Sequence, residues 1–241
     1  MMKALLVRGM LAGVVAGLLA FGFAHFYGEP QIDYAIGFEE QADRAAPHEH
    51  ATQAEEELVS RGVQSTIGLL TAVVVYGAGV GGLFAIVFAF VYGRIGGYGP
   101  RATSALLAAA GFISIALLPF LKYPANPPAV GSPESLGTRT SLFLVMVALS
   151  IIAVVLAIGL ARMTAERHGP KVSAALGAAA FVALVTVAQL ILPDVREVPA
   201  DFSVSELWHF RAASLGMQLL LWATLGVVFG KLSAAVLNRT A

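Results

Sequence analysis

The chain has 241 residues, 58% of them hydrophobic and only 12% charged, and its formal net charge is zero. It contains no cysteine, which excludes disulfides and thiolate metal sites. Six uncharged stretches, Gly9–Gly28, Gly62–Gly93, Ala102–Leu121, Thr140–Ala161, Val172–Pro193 and Ala212–Gly230, contain 20, 32, 20, 22, 22 and 19 residues. Each is long enough to cross a hydrocarbon core of about 30 Å as a helix, which needs about 20 residues. Lipid offers no water to backbone amides, so long apolar runs must be helical there, and the alternating strands of a barrel are not seen. The sequence predicts an all-α integral membrane protein with six transmembrane helices, forming one polytopic domain with spans at about 4–27, 63–92, 102–121, 140–161, 172–192 and 211–231.

Lys3 and Arg8 precede the first stretch, but the run is longer than a signal-peptide core and no A-x-A site follows, so an uncleaved helix is expected. Within it Gly9, Gly13 and Gly17 recur at helical spacing beside Ala12, Ala16 and Ala20, and the second stretch carries Gly77 and Gly81 flanked by Gly79 and Gly82. Small residues four apart let helix backbones approach closely, and the alternative is a ligand passage along the glycines. At the end of the first stretch His25, Glu29 and Asp33 would share a helix face, although Pro30 is expected to break the helix near Gly28. Imidazole with carboxylates suits divalent Co, Ni, Zn or Mn; the plainer alternative is an aromatic-belt histidine with interfacial carboxylates.

An acidic loop, 28–62, follows. A short interfacial helix is expected from Pro30, with Ile32 and Ile36 on one face, then a polar, mobile stretch from Gln41 to Ala51. His48-Glu49-His50 inside it offers weak cation capture, against the alternative of a merely solvated segment. Thr52-x-x-Glu55 reads as a capping box, predicting a helix from there into the second span. Between the third and fourth stretches, Lys122 to Arg139 is proline-rich and expected to be rigid and extended. Ser203-x-x-Glu206 is another capping box, leading through Trp208, an interfacial anchor, and His209 into the sixth span. Glu206 and His209, three apart, face the same way on a helix. Arg61, Arg139 and Arg211 open the even-numbered spans, each followed by a nearby serine (Ser65, Ser141, Ser214), and are expected to position carboxylates.

Numbering the loops in turn, 14 of the 15 Asp and Glu residues fall on one side, Glu166 alone lying elsewhere. Nine Lys and Arg residues lie on the other side and six with the acids, so by the positive-inside rule both termini are cytoplasmic and the acidic face is outside. Formal charge is then +8 inside and −8 outside. On the inner side, Gly99-Pro100-Arg101 and Gly169-Pro170-Lys171 enter the third and fifth helices and continue alike to Ala108-Ala109-Ala110 and Ala178-Ala179-Ala180. That rhyme suggests three helical hairpins of one orientation, with shared membrane-protein composition as the alternative. No Asp, Glu, Lys or Arg lies inside any stretch. A proton-driven pump usually keeps one there. Of the interior polar groups, Gln218 is the best path-lining candidate, with interhelical hydrogen bonding the alternative. No phosphate loop, nucleophile elbow or zinc-protease motif is present, so no enzyme activity and no nucleic-acid partner are expected.

Three segments carry a family resemblance. They are Gly28-Glu29-Pro30 with Ala35-Ile36 and Glu39; Lys122-Tyr123-Pro124-Ala125-Asn126-Pro127-Pro128 with Gly137-Thr138-Arg139-Thr140; and Leu207-Trp208-His209-Phe210-Arg211-Ala212-Ala213-Ser214-Leu215-Gly216 with Gln218 and Trp222. Together they resemble the CbtA family of predicted cobalt transporter subunits over nearly the whole chain. The resemblance implies a cobalt, or related divalent metal, substrate, an association with cobalamin biosynthesis, and a small one-helix histidine-bearing partner, CbtB. Members are generally described with five membrane helices, against the six that hydropathy gives here. The leading expectation is the membrane subunit of a cobalt uptake system in a bacterial inner membrane. It would have no resident cofactor, and its outer metal site would draw on His25, Glu29, Asp33, Asn126, Glu206 and His209. The alternative is a structural or assembly subunit that moves no metal.

Overall fold

The computed structural model describes residues 1–45, 59–128, 130–131, 133–195 and 197–237. Among them all regular structure is helical. In chain order the helices are α1 (Met2–Tyr27), α2 (Glu29–Ala45), α3 (Arg61–Val91), α4 (Pro100–Lys122), the tract Pro133–Ile191, and α7 (Val204–Leu237). The tract Pro133–Ile191 is 59 residues long, far more than one crossing needs. It is interrupted at Gly169, whose φ of 76° and ψ of 165° are non-helical, so it comprises two helices, α5 (133–168) and α6 (170–191). A positive φ suits glycine, which has no Cβ to clash, and Pro170 needs no amide partner in a first helical turn. Counting uninterrupted tracts that could cross a membrane gives five, while dividing at Gly169 gives six.

The chain folds as two compact units. The first comprises Met1–Ala109, Asn126–Val130 and Ala200–Ala241, and the second Ala110–Ala125 with Gly131–Pro199. The first is organised by the antiparallel pair α1 and α3. Gly9 lies against the Gly81 carbonyl, Gly13 against that of Gly77, and Gly17 against that of Val73. Each step of four along α1 is matched by a step of four back along α3, so the contacts form one ladder of backbone against backbone. A Cβ built on Gly17 would stand 2.8 Å from the Val73 oxygen, and those on Gly9 and Gly13 would be closer still to theirs. The glycines therefore serve packing, as small residues at membrane helix crossings do. α7 packs against α4 in the same manner: a Cβ on Gly226 would meet that of Ala108 at 2.7 Å, and Ser104 Oγ donates to the Gly226 carbonyl at 2.7 Å. Phe84, Phe88, Trp222 and Phe229 fill the interior, with Phe229 meeting Phe84 and Phe88 edge-on at 5.4 and 5.0 Å.

In the second unit α6 returns along α5, where a Cβ on Gly177 would lie 2.8 Å from the Ala157 oxygen. Tyr123, Met146, Ala153 and Val185 form its buried centre. Pro119 stands inside α4, where it removes a donor and its ring crowds the preceding turn. A π turn over Phe112–Leu117 just before it loosens the ladder, and Gln189 Nε2 donates to the Leu118 carbonyl at 3.0 Å.

Several expectations change. The segment expected to be mobile from Gln41 onward is helical as far as Ala45: Glu40 and Arg44 pair at 3.0 Å one turn apart, and Ala35 buries against Phe202 and Leu207. The capping box at Thr52 lies outside the described residues, but no helix runs unbroken from it into α3. Ser60 is extended (φ −59°, ψ 145°) and the helix begins at Arg61. The physical reason is local: the Ser60 carbonyl receives the first amides of the new helix, and Gln64 ties back to the Val59 carbonyl at 2.7 Å. The Lys122–Arg139 loop is irregular only in its first part, because helix α5 already starts at Pro133, a position that costs a proline nothing. The expected break near Gly28 is only a junction: Gly28 keeps right-handed helical angles (φ −95°, ψ −48°) and its amide bonds the Ala24 carbonyl at 2.7 Å. The reason is that the amide Pro30 lacks falls in the first turn of α2. The expected cap at Ser203 is present, with the Glu206 amide 3.5 Å from Ser203 Oγ.

Replacing Gly77 with alanine puts a methyl against the Gly13 carbonyl and should cost about 1–3 kcal/mol as overpacking. Gly79→Ala, where a Cβ meets nothing within 4 Å, should be neutral or slightly stabilising. Thermal unfolding of the two variants in detergent, followed by circular dichroism, should separate them clearly. Gly169→Ala should likewise cost about 1–2 kcal/mol through its left-handed φ, while Gly159→Ala on open helix surface should not.

Candidate metal site at the helix ends

The α1–α3 ladder continues beyond its glycines into polar residues. One turn past the apolar part, His25 Nδ1 stands 3.0 Å from the Ser65 carbonyl. Glu29 pairs with Arg61 a further turn along. Ser65 and Arg61 are themselves four apart, so both contacts keep the spacing that Gly9, Gly13 and Gly17 establish. Ser65 lies in a π turn, Gln64–Gly68, and such turns disturb the regular backbone hydrogen-bond ladder. The carbonyl can only accept, so His25 Nδ1 donates and Nε2 carries the lone pair of the neutral ring. Phe21, stacked at 5.7 Å, and Phe26, edge-on at 5.4 Å, flank the imidazole.

Arg61 also holds Asp33, through Nη2 at 3.0 Å and Nε at 3.1 Å. Glu29 is only 7% exposed, so a cationic partner is required to offset its desolvation, whereas Asp33 is open to solvent. His25, Glu29 and Asp33 thus lie along one side of α3, as their spacing implies. They are held by a carbonyl and a guanidinium, and do not converge on one point. Among the described residues no group of three or more histidine and acidic side chains is close enough to hold a metal ion.

In the same unit, α2 packs Tyr34 and Phe38 edge-on against Phe202, at 5.9 and 5.1 Å, which brings the start of α7 beside it. There Glu206 and His209 face each other across one turn, with Nδ1 3.7 Å from Oε2. The His209 side chain is 62% exposed and that of Glu206 30%, and among the described residues no lysine or arginine pairs with Glu206. Asn126 accepts from Arg211 Nη2 at 2.9 Å, and Arg211 also lies over the Trp208 ring at 5.8 Å. Arg61 and Arg139 each position a carboxylate, as expected of the arginines that open the even-numbered spans, and Arg211 holds the Asn126 amide oxygen and covers the Trp208 face. Gln218 is half-buried one turn before Trp222, whose buried indole Nε1 has no partner among the described residues. His48 and His50 lie outside the described residues.

The second unit has its own polar cluster, most of which the sequence did not single out. Glu197, nearly buried, receives Arg139 Nε at 3.0 Å and the Ser135 hydroxyl, and Arg139 also donates to the Pro124 carbonyl. Lys122 pairs with Asp194 at 2.6 Å, and Tyr123 donates its hydroxyl to the Pro193 carbonyl at 2.8 Å. Burial raises the Tyr123 phenol above its ordinary pKa of 10.0, with Lys122 opposing and Asp194 reinforcing the rise, so it stays a donor at neutral pH. These contacts hold Lys122, Tyr123 and Pro124 in place. The sequence hinted at Arg139 by its rhyme with Arg61, but no local spacing points from it to Glu197, 58 residues on.

Comparison with known proteins returned no curated relative and no solved structure. A family model described as "Probable cobalt transporter subunit (CbtA)" matches residues 2–234. That match takes in α1 to α6 and α7 up to its last turn, and it includes each of the site residues. The chain therefore belongs to the CbtA family of probable cobalt transporter subunits.

Proposed function

We propose that this chain is the membrane subunit of a cobalt, or related divalent metal, uptake system, and that it gathers cations at the ends of α1 and α7. Membership of a family of probable cobalt transporter subunits supports the metal and the transport role, and several apolar helices make the chain a multi-pass membrane protein. In this reading the acidic side faces outward, both termini face a bacterial cytoplasm, and the carboxylate-rich face raises the local cation concentration. The observation that carries the site is Glu206 with His209. They form an oxygen–nitrogen pair, half-buried at Glu206 and exposed at His209, that no guanidinium or ammonium neutralises among the described residues. Such mixed donors suit borderline divalent ions better than sodium or potassium. His25, Glu29 and Asp33 form the second donor group, and Asn126, held by Arg211, borders the first. Two donors fall short of the about four to six that such ions take, so water or a one-helix histidine-bearing subunit completes the shell. Gln218 would line the path inward. The role is that of a transporter component and not of an enzyme.

A second reading, an assembly subunit that moves nothing itself, is favoured by the absence of any charged residue inside the six uncharged stretches. The chain reconstituted alone in liposomes loaded with a metal-sensitive dye distinguishes the two, because an assembly subunit gives no flux. In cells expressing the chain, His209→Ala and Glu206→Ala should each lower cobalt accumulation about tenfold, the scale of losing one good ligand. Unchanged uptake in both would remove the α7 pair from the proposal.

A further inference from the structure

We infer that Arg61 is an exchangeable counter-cation, which occupies Glu29 in the metal-free protein and yields it to a divalent ion that binds His25 Nε2 and Glu29 together. The inference rests on the proposed divalent-metal function and adds a residue that sets which ions gain access to the α1 end. Four observations carry it. Glu29 is 7% exposed, so its carboxylate is costly to leave without a positive partner, which makes metal binding there a replacement and not an addition. Arg61 spans two carboxylates, with Nη2 on Glu29 and Nε on Asp33 at 3.1 Å, so on releasing Glu29 it keeps a partner in Asp33 and is never stranded. His25 is fixed through its Nδ1 bond to the Ser65 carbonyl, the same support that backbone carbonyls give metal-bound histidines through the non-ligating nitrogen. That bond leaves Nε2 with a lone pair. Finally, helical hydrogen bonding runs through Gly28, whose amide donates to Ala24 at 2.7 Å and whose carbonyl accepts from Ile32 at 3.3 Å. His25 and Glu29 therefore remain one turn apart on one face across the junction between α1 and α2.

Exchange of this kind discriminates by charge and by ligand type. A sodium or potassium ion brings the same single charge as the guanidinium, gains nothing from imidazole nitrogen, and forfeits the hydrogen bonds that Arg61 makes. A borderline divalent ion brings twice the charge and takes nitrogen readily. Arg61 thereby weakens every cation's access to Glu29 but weakens that of monovalent ions most. Lysine at this position would be a compact point charge unable to reach both carboxylates through a planar fork, and would hold Glu29 less firmly.

The test is Co2+ titration of the purified full-length chain in nanodiscs, followed by calorimetry and by the visible d–d absorption of the bound ion. Arg61→Lys should bind Co2+ about tenfold more tightly than the unaltered chain, and Arg61→Gln at least as tightly as that. His25→Gln should weaken binding about tenfold and shift the d–d band as a nitrogen ligand is lost. Because Arg61→Gln leaves Glu29 buried without a cation, its fold is checked by circular dichroism, and if it unfolds Arg61→Lys decides. A purely structural bridge predicts equal or weaker binding in folded Arg61 variants, and that result overturns the exchange. Cobalt accumulation in cells separates the two claims. Uptake with no tightening in the Arg61 variants rejects the exchange and leaves transport standing, whereas no uptake rejects transport while the titration still decides the exchange.

Discussion

The approach of α1 to α3 is the constraint on which the first unit depends. Glycine carbonyls of one helix lie where a Cβ of the other would be, at Gly9, Gly13, Gly77 and Gly81. In lipid there is no hydrophobic force between two apolar helices, so close van der Waals contact along such a ladder is what selects one register over another. Once the register is set by the glycines, the polar residues at its end have no freedom of partner. His25 falls opposite Ser65, and Glu29 opposite Arg61. The geometry of the candidate metal site is in this sense a consequence of packing two to four turns away.

The same logic accounts for how polar groups are handled within the helices. Ser150 and Ser233 return their hydroxyls to their own helix, at Met146 and Gly230, and Ser104 spends its hydroxyl on α7. Each removes a donor from hydrocarbon without introducing charge. Charge is instead gathered where the helices end, in arginine-centred clusters, one around Arg61 and another around Arg139. In both, a carboxylate with little exposure is matched to a guanidinium that also reaches a second acceptor. The planar fork of arginine makes that double engagement possible.

These clusters alter the meaning of the acidic loops. Of the carboxylates nearest the helix ends, Glu29, Asp33, Asp194 and Glu197 are all held by Arg or Lys, and their first role is to fasten segments of chain to helix starts. Glu206 is different: its ionisable neighbour is a histidine, which is exposed, and Glu206 itself is half-buried. In the proposed function a cation would meet this pair without displacing a guanidinium or ammonium, whereas at Glu29 it would meet Arg61 as a competitor.

Much of this protein was legible from residue order alone. The length and polarity of the uncharged stretches dictated membrane helices, because hydrocarbon forbids unpaired backbone and allows few charges. The small-residue spacing in Gly9, Gly13 and Gly17 announced a close helix contact, and Gly169-Pro170 marked the break that divides a 59-residue tract. The capping box at Ser203 was readable because a cap acts on its own next turn. What remained hidden were the partners. Spacing places His25 and Glu29 on one face but does not say that a carbonyl and a guanidinium some 30 to 40 residues away already occupy them, and nothing local links Arg139 to Glu197. Periodicity, capping and hydropathy are properties of neighbouring residues, so the chain carries them by itself. Which charge neutralises which depends on helix register and on how loops fold back, and only the tertiary structure decides that.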